Sequence, residues 1–404
     1  MINRPYFLDW LWSWKDKKMI KVVTGIRRCG KSTLLELYQQ RLLASGIKPE
    51  QIISLNFEDP DVGEFQSYRE VWDLLTPRLK QEGRCYIFLD EVQRVPEFEK
   101  LVDGLFAKKN VDIYITGSNA YFLSGELATF LSGRYVEIKM QPLSFREYVE
   151  AQGPGEDRET HYKNYLRYSS FPYTLSLGQD VRQIRDYLSG LYNTILLKDV
   201  MLRKGFKDTA LLERVTRFLF DNIGSMTSIH KIAATLSSSG MKTTPQTIDN
   251  YVHALCDTFL LYQVKRYDIK GREYLKTNAK YYLADIGLRY FLLGGKGGDQ
   301  GHILENSVFL ELLRRSGNVH VGKVGEREVD FMTQEGDQIT YYQVALSVRD
   351  EGVLQRELAP LQEIHDHHPK FLLTLDNDPE MSHNGIRQRY VLDFLMEEWG
   401  GGSG

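Results

Sequence analysis

The sequence predicts an α/β protein: a parallel sheet with crossover helices, then a helical stretch, then a second, smaller module of mixed strands and helices. Three observations predict it. Up to about residue 145, short β-branched or aromatic runs alternate with segments of helical spacing, and that alternation implies crossover units. After Pro142 the composition shifts towards Tyr, Arg and Leu at helical spacing, and the next hairpin signal is Leu260–Tyr267. Beyond the break Gly294-Gly295-Lys296-Gly297-Gly298 the order becomes helix, strands, helix, strand.

The first strand signals are Ile20–Thr24, Ile52–Phe57, Tyr86–Leu89, Val111–Thr116 and Tyr135–Lys139, with Leu34, Leu35, Tyr38 and Leu42 marking a helix between the first two. They define an expected domain over 1–145, followed by a helical lid or connector over 146–207. Short helices and a hairpin turning at Lys270-Gly271 occupy 208–293, and a small α/β module fills 294–398. The tail 399–404, ending Gly-Gly-Ser-Gly, is expected to be a flexible linker or tag remnant outside the fold. A chain of 404 residues with 42% hydrophobic residues, 19 Phe and 24 Tyr can build several cores, which excludes disorder as a description of the whole. No run approaches the ~18 apolar residues of a membrane span, and the N-terminus meets Asp9 too early for a secretory signal, so a cytoplasmic protein is expected. Cys29, Cys85 and Cys256 lie too far apart for a disulfide framework or a zinc knuckle. A net charge of −3 leaves no overall basic footprint, so any nucleic-acid surface has to be a local patch.

Gly25-Ile26-Arg27-Arg28-Cys29-Gly30-Lys31-Ser32, continued by Thr33, matches G-x-x-x-x-G-K-[ST] between an apolar strand and a helix. Glycines let backbone N–H groups curl around phosphate oxygens, and the helix N-terminus adds positive potential. Lys31 is expected to reach the β- and γ-phosphates of ATP, and Ser32 to hold Mg²⁺. Tyr86-Ile87-Phe88-Leu89-Asp90-Glu91 is an apolar strand ending in two acids, of which Asp90 suits Mg²⁺ and Glu91 suits polarising the attacking water. After the fourth strand, Ser118 and Asn119 compete to read the γ-phosphate, and Arg134 is a candidate arginine finger in cis or from a neighbouring subunit. No dinucleotide G-x-G-x-x-G fingerprint is present, which argues against a dehydrogenase.

The loop, Leu89-Asp90-Glu91, Thr116-Gly117-Ser118, Leu131-Ser132-Gly133-Arg134 and Pro142-Leu143-Ser144-Phe145-Arg146-Glu147 together resemble a bacterial and archaeal family of AAA-type P-loop ATPases whose C-terminal domain has no assigned function. The resemblance covers nearly the whole chain and implies ATP binding and hydrolysis. Tyr281–Leu288 also resembles that family.

Thr227–Leu236, a turn at Ser237–Gly240 and a second helix starting at Thr244-Pro245 precede the hairpin, which is a winged helix-turn-helix pattern. Gln246, Thr247 and Asn250 would then face a DNA groove, with Lys265, Arg266, Lys270, Arg272 and Lys276 on phosphates. Docking on a protein is the competing use of the same pattern. Further on, Glu305 on a helix, Asp330 at a strand tip and Gln343 on the next strand resemble the metal site of the restriction-endonuclease-like fold. The lysine such nucleases need two residues after the last ligand is replaced by Ala345, and Lys323 is a poor substitute, so the module is expected to be inactive as a nuclease. The expectation is a Mg²⁺-dependent AAA-type ATPase acting on duplex or branched DNA, with a homo-oligomer as the arrangement in which Arg134 would act in trans. The competing readings are a slow ATP-dependent switch working through protein contacts and an ATP-gated nuclease.

Overall fold

The computed structural model describes residues 2–80, 83–120, 131, 133–153, 155–202, 205–295 and 299–398. Ser132, the Gly-rich break at 296–298 and the tail from 399 lie outside the described residues, as does the side chain of Lys276. The chain divides into two units, Met1–Pro142 with Asp257–Phe259, and Leu143–Cys256 with Leu260–Gly404.

In the first unit α1 (Pro5–Ser13) leads into β1 (Ile20–Thr24), α2 (Lys31–Ala44), β2 (Ile52–Asn56), α3 (Tyr68–Leu75), β3 (Cys85–Asp90), α4 (Phe98–Phe106), β4 (Val111–Gly117) and β5 (Tyr135–Lys139). All five expected strands form. They pair in parallel in the order β2-β3-β4-β1-β5, so β4 lies between the strand that feeds the phosphate loop and the strand that ends in Asp90. β1, β3 and β4 are buried at every position, as parallel strands covered on both faces must be, whereas the edge strands β2 and β5 carry exposed residues. Burial along β1 includes Lys21, whose ammonium is neutralised by the buried Asp112 of β4. One face of the sheet packs on Val71 and Leu75 of α3 and Leu101, Val102 and Leu105 of α4. Leu34, Leu35, Tyr38 and Leu42 of α2 are buried as their spacing predicts.

The second unit begins with α5 (Phe145–Gln152), α6 (Arg158–Tyr168), α7 (Pro172–Ser176) and α8 (Val181–Thr194), the last running into a π-helical turn at Ile195–Leu202. Ser144 starts α5 with a capping box, its hydroxyl accepting from Glu147 N–H while Glu147 accepts from Ser144 N–H. Next come α9 (Thr209–Asp221), α10 (Ile229–Ser238), α11 (Pro245–Asp257) and the hairpin β6 (Leu261–Asp268) and β7 (Glu273–Leu283). Thr227 forms a short antiparallel bridge with Ala279 of β7. The chain continues through α12 (Ile286–Leu293), α13 (Gln300–Ser316), β8 (Val319–Val324), β9 (Arg327–Glu335), β10 (Gln338–Ala345), α14 (Glu351–Gln362), β11 (Lys370–Thr374), β12 (Met381–His383), β13 (Ile386–Tyr390) and α15 (Val391–Met396). The hairpin is hydrogen-bonded to the later strands, because β6 pairs in parallel with β8. One eight-stranded sheet, β12-β13-β11-β10-β9-β8-β6-β7, therefore draws strands from both 208–293 and 294–398. Its core includes Val329, Met332, Tyr341, Leu358, Leu361 and Leu372. Among the described residues, no helix is long and apolar enough to cross a membrane.

Candidate functional site

The loop between β1 and α2 is shaped by its glycines. A Cβ on Gly25 would lie 1.9 Å from Met140 O, so the backbone there approaches the residue after β5 more closely than any side chain permits. Gly30 caps α2 in the left-handed region, at φ 104°. Lys31 opens the helix as a buried cation whose ammonium donates to Gly25 O at 3.0 Å and Ile26 O at 3.3 Å and lies 3.5 Å from Glu91 Oε1. Arg27 pairs with Glu58 at 2.6 Å, and Arg94 holds the same carboxylate at 2.7 Å. Burial works against that charge, but the two guanidiniums outweigh it and keep Glu58 below the usual carboxylate range. Arg28 is exposed and Ile26 is buried, while Thr33 is half-buried on the first turn of α2.

Cys29 departs from expectation. A thiol between Arg28 and Lys31 is expected to be reactive, but Cys29 is fully buried, and desolvation pushes its pKa up despite Lys31 and Arg4. Arg4, buried under the loop, donates to Cys29 O at 3.3 Å and Gln141 O at 3.1 Å. It ties the N-terminal segment to the loop, and no motif marks it in the sequence.

Asp90 and Glu91 end β3 beside β4. The Thr116 hydroxyl donates to Asp90 Oδ1 and accepts from the Glu91 N–H at 2.9 Å, so one β4 side chain organises both acids. Asp90 also shares a hydrogen bond with Ser32; burial nevertheless raises its pKa, against the pull of Ser32, Thr116 and Lys31. Glu91 has left-handed backbone, φ 53°. Its Oε2 accepts from Ser118 Oγ at 2.9 Å and from Gln93 Nε2 at 2.5 Å. Lys31, Ser32, Asp90 and Glu91 thus converge, and Ser118 rather than Asn119 is bonded to the catalytic-acid candidate. Asn119 is buried directly after β4. Thr116 and Gln93 are the positions that motif reading passes over; the polar Thr116 ending the run Ile113-Tyr114-Ile115 was the available signal.

Arg134 does not join this group. Its carbonyl accepts from Ile20 N–H, and Ile20 pairs with Tyr135, so Arg134 stands at the start of β1 and β5 while the loop leaves their far end. Those ends are roughly 15 Å apart at ~3.3 Å per residue. Its exposed guanidinium pairs with Asp103. Within this chain Arg134 therefore lies away from the phosphate loop.

In the second unit Gln246 and Asn250 are exposed on the first turns of α11, with Thr247 half-buried beside them. Lys265, Lys270 and Arg272 are exposed on or beside the hairpin, and Lys270 pairs with Glu363 at 2.8 Å. Glu305 of α13, Asp330 of β9 and Gln343 of β10 do come together. Asp330 N–H donates to Gln343 Oε1 at 3.3 Å, and Gln343 Nε2 donates to Glu357 at 3.0 Å. The absence of a lysine from this cluster, inferred from Ala345, is corrected: Lys280 of β7 lies 2.7 Å from Glu305 and 3.8 Å from Asp330.

A phosphate loop after β1, an acidic pair after β3 and an extra strand between them define the class: an α/β fold of the AAA-type P-loop ATPases. Residues 17–149 match the family model described as an AAA domain, and residues 159–298 match a domain of unknown function, DUF8612. The chain is 40% identical over 401 residues to an uncharacterized protein of Haemophilus influenzae, covering 98% of this chain and 99% of that one. It belongs to the AAA-type ATPase family that includes this relative. An uncharacterized protein of Methanocaldococcus jannaschii is 28% identical over 330 residues, 78% of this chain and 71% of the relative. The Walker-type ATPase of Pyrococcus abyssi is similar in fold, with a TM-score of 0.51 and 15% identity over 72% of this chain and 96% of that one.

Proposed function

We propose that the first unit binds ATP with Mg²⁺ and hydrolyses it, Glu91 taking the proton of the attacking water. The convergence of Lys31, Ser32, Asp90 and Glu91 around one loop carries this reading. Ser32 and Asp90 offer adjacent oxygen donors, the chemistry that Mg²⁺ prefers. Bound there, the ion would neutralise charge on the phosphates. The rest is work for the chain's own groups. Lys31, hydrogen-bonded to its own loop in this state, turns its ammonium to the β- and γ-phosphates. Ser118 and Gln93 orient Glu91, and Thr116 fixes the backbone from which it projects. Arg134, exposed at the far end of β5, is free to serve a neighbouring copy once its Asp103 pair opens, which implies a homo-oligomer.

In the same reading, nucleotide state is coupled to DNA held by α9, α10, α11 and the β6–β7 hairpin. Support comes from the Thr227–Ala279 bridge, which adds the short third strand of a winged helix, and from the exposed Gln246, Asn250 and Lys265. Lys31→Ala should abolish binding of a fluorescent ATP analogue, whereas Glu91→Gln should keep binding and slow phosphate release by about 10²–10⁴-fold. Turnover of Glu91→Gln at the parent rate would refute the acid assignment. Duplex or branched DNA should stimulate phosphate release by the wild-type chain; no response to either would favour a switch working through protein contacts.

A further inference from the structure

Three carboxylates of the second unit meet around one nitrogen. Lys280 Nζ lies 2.7 Å from Glu305 Oε1, 2.6 Å from Glu328 Oε1 and 3.8 Å from Asp330 Oδ1. Tyr282 adds its hydroxyl to Glu305 at 2.5 Å. Glu305 and Asp330 are the carboxylates that the restriction-endonuclease resemblance assigns to a divalent cation. Mg²⁺ and Mn²⁺ need several unshared oxygens converging on one point.

Most of those oxygens already have partners. Glu305 Oε1 is shared between Lys280 and Tyr282. Asp330 Oδ2 accepts from Val344 N–H at 2.9 Å, and its other oxygen faces the ammonium. Gln343 spends its carbonyl on Asp330 N–H and its amide on Glu357. Among the described residues, no group of three or more His, Cys, Asp or Glu side chains is arranged to hold a metal ion. The charges agree with this arrangement. Burial opposes the Lys280 ammonium, but Glu305, Asp330 and Glu328 together hold it well above the ordinary lysine value.

We propose that the Lys280 ammonium is a tethered replacement for the divalent cation, closing this acidic site to Mg²⁺ and Mn²⁺ and removing the metal on which nuclease chemistry would depend. The lysine is not missing, as position 345 suggests. It arrives from β7, and its charge is spent on the carboxylates, so it cannot stabilise a phosphodiester undergoing attack. The proposal is independent of the ATPase reading, and its test contains no nucleotide.

The experiment titrates Mn²⁺ into the full chain and follows the free-ion signal by electron paramagnetic resonance, with melting temperature as a second readout. Wild type should take up no Mn²⁺ that Asp330→Asn removes. Lys280→Met should gain one site, at least tenfold tighter than any wild-type binding, and lose it again in Lys280→Met/Asp330→Asn. The same variant should melt below wild type and recover with Mn²⁺; if it is unfolded in metal-free buffer, Mn²⁺ should refold it. Failure of Lys280→Met to gain Mn²⁺ or to be rescued by it would overturn the proposal. So would wild-type Mn²⁺ uptake, or wild-type DNA cleavage, that disappears in Asp330→Asn.

Discussion

Thr116→Val tests whether one hydroxyl holds the acidic pair together. Valine keeps the shape of threonine inside a fully buried strand, so the change removes two hydrogen bonds and little packing. The Glu91 N–H, 2.9 Å from the hydroxyl, loses its acceptor while remaining buried, at a cost of about 1–3 kcal/mol. Asp90 loses a hydrogen bond to a carboxylate, worth about 1.5–3 kcal/mol. Together these give roughly 3–5 kcal/mol after some relaxation, and at about 2–4 °C per kcal/mol the first unit should melt on the order of 10 °C lower. Function should suffer beyond stability. Asp90 would be pushed further towards its neutral form, and Glu91 would lose the anchor of its left-handed backbone, so phosphate release should fall by about 10–100-fold even well below the melting point. Scanning calorimetry and a phosphate-release assay at 25 °C measure the two effects, with Thr116→Ser as the control that retains the hydroxyl. A Thr116→Val protein that melts and turns over like the parent would refute the linkage.

The remaining predictions concern buried groups. Because Cys29 is desolvated while Cys256 is partly exposed, a maleimide should label Cys256 first and reach Cys29 only on unfolding, with or without ATP. Rapid labelling of Cys29 in the folded chain, read by peptide mass mapping, would contradict its burial. Asp330 has a raised folded-state pKa, owing to burial and then to Glu305, so its contribution to stability is complete below the unfolded value of about 3.9 and is lost as pH rises through the folded value. Asp330→Asn does not titrate. Its melting temperature relative to wild type should therefore climb as pH is raised from about 4 towards neutrality; a gap independent of pH would be inconsistent with a neutral Asp330.

The strands of the first unit were legible because β-branched and aromatic residues cluster in them, and Ile20–Thr24 and Tyr135–Lys139 form with the bounds those runs predict. Local spacing likewise marked the phosphate loop and the acidic pair. Sheet order was not legible, because pairing partners are remote in sequence, so the bridging role of Thr116 appeared only when β4 stood beside β3. Whether Arg134 lies near the loop was not legible for the same reason: its distance from the loop depends on the register of β5 against β1. Lys280 was hidden more deeply. It sits on a hairpin strand that looked like a DNA-binding wing, and its partners Glu305 and Asp330 lie 25 and 50 positions further along the chain.

The parallel pairing of β6 with β8 limits how this protein can be taken apart or recombined. A fragment starting after the Gly-rich break would keep β8 but strip it of its neighbour, leaving a row of unsatisfied backbone groups open to another chain. The reciprocal fragment, ending before the break, would expose β6 in the same way and leave Lys280 buried without its carboxylates. Gene fusions, truncations and crystallisation fragments should therefore avoid a cut at residues 294–298, where composition suggests a hinge. The glycines punctuate the sequence without dividing the sheet, so 208–293 and 294–398 fold as one piece.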